Sequence, residues 1–225
     1  MRKVQLVVLV GLAALLCCTL PVLADDIPAT IGSQHFTNGK IITSATFFGA
    51  TSSQPAPFTG PCGSNATTNC NTSWVFSSYV IPAGDTLTGA TFTLGIYNLD
   101  SSLNPNPFAS FTLNGTDDLT LLMNLAADGL DSGAGSKHNE YDVLTIAIPD
   151  TFLTDLSGGT ATFALTTQGP GFGILGNTKF LGVGLESSTL DITATPQSGG
   201  TVPEPATFSL LGIGLLGLAA AVFRK

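Results

Sequence analysis

The sequence predicts an all-β body, a single β-sandwich or jelly roll, and three observations carry that prediction. Apolar residues alternate with polar ones along several short runs, turn residues interrupt those runs at short intervals, and the middle of the chain is rich in Gly, Thr, Ser and Asn while poor in Lys, Glu and Arg. Period-two alternation is the signature of a half-buried strand. The depleted residues are those that surface a soluble helix.

The clearest run is Thr88 to Tyr97, where Ala90, Phe92, Leu94 and Ile96 fall on one face and Thr91, Thr93 and Tyr97 on the other. Similar runs cover Trp74 to Ile81, Val143 to Ile148, Thr160 to Thr166 and Thr189 to Thr195. Shorter ones at Ile41 to Phe48, Phe108 to Leu113, Leu119 to Leu125 and Phe180 to Leu185 are also read as strands. Turn residues separate them, among them Pro82-Ala83-Gly84, Asn114-Gly115, Asp128-Gly129 and Ser157-Gly158-Gly159. A helical turn is expected near Asp150 to Leu156, and no internal repeat is present.

Composition excludes one class of function. From Asp25 to Val202 the only basic side chains are Lys40, Lys137 and Lys179, against fourteen Asp and Glu, for a net charge of about −11. Nucleic acid and anionic lipid are bound through Lys and Arg that neutralise phosphate, so this surface repels them.

The two ends differ from the body. Met1-Arg2-Lys3 is a short basic start, Val4 to Leu20 is apolar, and Val22-Leu23-Ala24 places small residues where signal peptidase cuts, before Asp25. Residues 1–24 therefore read as a signal peptide delivering the chain to the general secretion machinery, with an uncleaved anchor as the alternative. Residues 25–199 form the acidic body and 200–225 a tail. In the tail, Ala206 to Phe223 carries no charge, and its eighteen residues span roughly 27 Å as a helix, close to the bilayer core. Arg224 and Lys225 follow and are expected to stay cytoplasmic, holding the helix in the inner membrane with the body on the periplasmic side.

The tail is headed by Val202-Pro203-Glu204-Pro205, and this order of Pro-Glu-Pro triplet, glycine-leucine helix and basic end resembles the PEP-CTERM family of bacterial exported proteins. The resemblance covers about the last 25 residues. It implies that the chain is a substrate of exosortase, a membrane-embedded cysteine transpeptidase of bacteria that make exopolysaccharide, with Pro203, Glu204 and Pro205 as the sorting motif. Release or transfer to the cell surface is the implied fate. Trp74 to Thr195 also looks like the all-β ectodomains placed ahead of such tails, a likeness that carries no site residue.

Sites within the body are sparse. Cys62 and Cys70 are the cysteines that remain after signal cleavage, and export favours a disulfide between them over free thiols or a metal site. Asp128, Asp131 and Asp142 lie along a Gly-rich stretch and are weak candidates for a hard cation, but their spacing matches no EF-hand and a solvated acidic loop is the simpler reading. No cofactor is expected. His35 and His138, the only imidazoles, read as surface loop residues, and no nucleophile elbow, zinc-protease or P-loop motif is present. The body is thus expected to be a non-enzymatic, structural protein of the cell surface or exopolysaccharide matrix. Two alternatives stay open: a carbohydrate-binding module stacking sugars on Trp74, Tyr79, Tyr97 or Tyr141, and a glycosidase built on two of the carboxylates.

Overall fold

The computed structural model describes residues 24–77, 79–170 and 180–197. The expected signal peptide except Ala24, the tail helix, the triplet Pro203, Glu204 and Pro205, and Arg224 and Lys225 all lie outside the described residues. Among the described residues no helix is long and apolar enough to cross a membrane.

Among the described residues ten strands and two α-helices follow in order: β1 (Asp25–Gly32), β2 (Lys40–Ile41), α1 (Ser44–Thr51), β3 (Pro61–Cys62), β4 (Asn71–Ser77), β5 (Asp85–Tyr97), β6 (Phe108–Leu113), β7 (Asp117–Asp118), α2 (Thr120–Asp128), β8 (Glu140–Ala147), β9 (Thr160–Thr167) and β10 (Val183–Pro196). A 3₁₀ segment, Asp150–Leu156, stands where a helical turn is expected. The first sheet runs β1-β10-β5-β8-β2, with β3 also on β10; the second runs β4-β9-β6-β7. Every pairing is antiparallel. Setting aside β2 and β3 but keeping the two-residue β7, the order is first-eighth-third-sixth in one sheet and second-seventh-fourth-fifth in the other, the order of a jelly roll.

The alternation places the core between the sheets. Ala90, Phe92, Leu94 and Ile96 of β5 are buried, as are Trp74 and Phe76 of β4 and Ala161, Phe163 and Leu165 of β9, while Val75 between its buried neighbours is exposed. Phe92 and Phe163 stack across the layers with centroids 4.4 Å apart, and Trp74 Nε1 donates to Ser188 Oγ at 3.2 Å.

Two expected strands are helices. Leu119 to Leu125 becomes α2, because Leu119 and Met123, four apart, point inward while Leu121 and Leu125 are exposed; an inward strand face would have buried all four. Asp118 Oδ1 accepts the Thr120 N–H at the helix start. Ile41 to Phe48 likewise holds only a two-residue strand before α1, whose N-cap Thr43 accepts the Thr46 N–H. Phe180 to Leu185 and Thr189 to Thr195 are not separate strands: β10 runs from Val183 to Pro196 through a bulge at Glu186.

A second, smaller core lies on the outer face of the first sheet. Phe47 of α1 stacks on Tyr97 at 4.7 Å, and Tyr141 is buried beside them, with Phe36, Phe48 and Val143 packed around. Glycines make room for it. A Cβ on Gly184 would sit 2.3 Å from Phe47 Cε1, and one on Gly95 would sit 2.3 Å from the Tyr141 hydroxyl.

Candidate functional site

One end of the first sheet gathers a group of polar loop residues. Here β5 ends at Tyr97, β8 begins at Glu140 and β10 begins at Val183, so the segments flanking them converge. Asn98 and Asn139 face each other across that end, both with left-handed backbone (φ 62° and 63°) that asparagine tolerates better than most residues. The Asn98 N–H donates to the Glu140 carbonyl, and the Asn139 N–H donates to Asn98 Oδ1 at 2.9 Å. The Tyr97 hydroxyl donates to Asn139 Oδ1 at 2.6 Å. The loop closed by the Cys62–Cys70 disulfide forms a further wall, where Asn65 Oδ1 accepts the Gly182 N–H at 2.7 Å. These walls enclose a cleft of about 260 Å³ lined by Phe48, Asn65, Tyr97, Asn98, His138 and Asn139, among others.

The acidic stretch before β8 does not converge on one point. Asp128 ends α2 on the surface, Asp131 meets the Lys137 ammonium, and Asp142 is buried, accepting from the Ser136 hydroxyl. Among the described residues no group of three or more His, Cys, Asp and Glu could hold a metal ion. Burial pushes the Asp142 carboxyl up to about 6, against the opposing Ser136 hydrogen bond. Burial also raises Asp100, with His138 pulling it back.

The proposed sugar-stacking aromatics are not on the surface. Trp74, Tyr79, Tyr97 and Tyr141 are all buried, Trp74 and Tyr79 in the main core and the other two in the outer one. Large rings remove the most apolar surface from water, which explains their use as core. Tyr79 donates to the Leu156 carbonyl at 2.7 Å, and burial pushes its phenol up to about 12. His35 is also more than a loop residue, since it bonds the fully buried Glu186. A lone Glu in a polar stretch gives no period or motif, so sequence reasoning passed over Glu186.

Beyond the described body, residues 201–225 match the PEP-CTERM protein-sorting motif. The chain carries a PEP-CTERM sorting tail. The motif implies an exported, membrane-anchored protein processed by exosortase. A comparison with curated proteins found no match.

The cleft lies at the Val183 end of β10, and the other end, Pro196, is the one from which the sequence runs on to the PEP-CTERM tail. The 14 residues of the strand span roughly 45 Å at strand rise. Asp25 pairs with Ala194, so β1 begins beside the C-terminal end of β10.

Proposed function

We propose that the chain is a non-enzymatic structural protein of the cell surface or exopolysaccharide matrix. Signal peptidase releases it from the general secretion machinery, the tail helix holds it in the inner membrane with the body on the periplasmic side, and exosortase frees it by acting near Pro203, Glu204 and Pro205. The observation that supports this reading is the sorting motif at residues 201–225, a few residues beyond the end of β10. Pro203 and Pro205 cannot donate a backbone N–H, which favours an extended segment that a transpeptidase can reach. For the structural role, the deeply buried carboxyls Glu186 and Asp142 bond to His35 and Ser136 of the same body, which is how packing groups behave.

The test is expression in a host with exosortase beside the same host without it. A shorter, released or surface-attached form is expected only in the first, and replacing Pro203, Glu204 and Pro205 by Ala is expected to hold the full-length form in the membrane. The same full-length membrane protein in both hosts overturns the reading.

A further inference from the structure

We infer that the cleft between Asn65, Asn98 and Asn139 is a binding site for a neutral saccharide of one or two rings. The inference goes beyond the sorting reading and rests on how three carboxamides are held. Asn65 and Asn98 each turn the carbonyl oxygen to a backbone N–H, of Gly182 and Asn139, and Asn139 turns its own to the Tyr97 hydroxyl. A carboxamide so fixed presents its NH₂ on the other side, and no described residue accepts from any of the three. All three residues line the cleft, which therefore offers amide donors held in place by the bond that each carbonyl oxygen accepts.

That arrangement selects a ligand. It must bring acceptor oxygens, which the NH₂ donors ask for and a cation does not supply, and it must not be an anion, because no Lys or Arg lines the cleft and the body around it carries about −11. A peptide backbone brings one acceptor per residue, whereas each sugar ring brings several hydroxyls that accept from an NH₂ and turn their own hydrogens to the second lone pair of an Asn carbonyl or to water. Phe48, half-buried at the cleft and edge-on to Tyr97 at 6.2 Å, supplies an apolar surface for the C–H face of a ring. The volume of about 260 Å³ lies just under the range of roughly 300–1,000 Å³ of sites for drug-sized molecules, which sets the limit of one or two rings.

Two further features belong to a built site. Asn98 and Asn139 adjoin at strand ends and are tied to each other, the Asn139 N–H donating to Asn98 Oδ1, so their carboxamides are fixed relative to one another. The disulfide loop carrying Asn65 is cross-linked, so less ordering remains to be done on binding.

The experiment takes the membrane-extracted protein in detergent micelles to an array of neutral oligosaccharides, acidic oligosaccharides and peptides, then titrates it with the tightest neutral hit. Asn65→Asp, Asn98→Asp and Asn139→Asp each keep an inward oxygen, and Asp tolerates left-handed backbone, but the NH₂ donor is lost. Each is expected to weaken binding about tenfold or more with little change in the unfolding temperature. Affinity unmoved by all three substitutions, binding confined to acidic glycans or peptides, or no neutral hit at millimolar concentration overturns the inference. None of these outcomes involves exosortase, so each leaves the sorting reading standing.

Discussion

Glu186, fully buried at the bulge of β10, receives two hydrogen bonds from one residue: the His35 backbone N–H at 2.7 Å and His35 Nδ1 at 3.1 Å. Its other oxygen, Oε2, has no partner, and neither has the buried Tyr141 hydroxyl. Burial first, then the Glu186 carboxyl, push the Tyr141 phenol far above its usual range, yet the two groups complete no hydrogen bond. The pair ties the segment that follows β1 onto the sheet.

His35→Ala is expected to destabilise the body by about 1.5–3 kcal/mol, the range for a hydrogen bond to a carboxylate. Glu186→Gln keeps an acceptor for His35 and brings an NH₂ beside the unpartnered Tyr141 oxygen, so it is expected to change stability by less than about 1 kcal/mol. Urea unfolding measures both; a silent His35→Ala beside a strongly destabilising Glu186→Gln contradicts the arrangement.

Asp142 gives the body a pH dependence opposite to that of a salt-bridged carboxylate. Its folded value of about 6 lies above the ordinary 3.8, so the folded state binds the proton more tightly. This contribution to stability is fully present below the unfolded value and is lost as pH rises through the folded one, over a window from about 4 to 6 and by at most about 3 kcal/mol. Asp142→Asn, which can still accept from Ser136, is expected to flatten that part of the stability profile and to stabilise the body at pH 8. An unchanged profile in urea titrations from pH 4 to 8 refutes the assignment.

Gly184→Ala and Gly95→Ala test the outer core. Either added methyl collides with a ring of the second cluster, and overpacking of this kind costs about 1–3 kcal/mol. Gly89, with open space around its Cβ position on the same strand as Gly95, is the control, and Gly89→Ala is expected to be neutral or mildly stabilising. Equal effects at all three sites would show that the rings are not packed against the strands.

Reduction of Cys62–Cys70 releases a loop of about nine residues, and the chain-entropy relation gives roughly 2.5 kcal/mol of lost stability. Cys62→Ser combined with Cys70→Ser is expected to lower the urea midpoint accordingly, with a small rise in slope as the released loop opens the unfolded chain. An unaltered midpoint contradicts it.

The long strands were legible because β4 and β9 keep a period of two with the apolar face inward, and β5 and β8 keep it away from the end where the outer core covers their second face. α2 was not, since Leu119, Leu121, Met123 and Leu125 alternate like a strand and only the three-dimensional surroundings leave Leu121 and Leu125 in water. β1 was missed because Asp25, Asp26 and Pro28 look like loop chemistry, although Pro is tolerated on an edge strand with its missing N–H turned away from the ladder. The cleft was out of reach for another reason. Asn65, Asn98 and Asn139 are far apart in sequence and meet only because the strand ladder fixes which loops share an end of the sheet.

The chain leaves for its tail from β10, a strand hydrogen-bonded along both edges, to β1 on one side and β5 on the other. A tug on the tail therefore acts along the axis of an interior strand, and drawing it out requires two ladders to shear together rather than one edge to peel. Under flow or drag the body is loaded through a strand that two ladders hold. It will hold its shape on a single tether until many bonds fail at once.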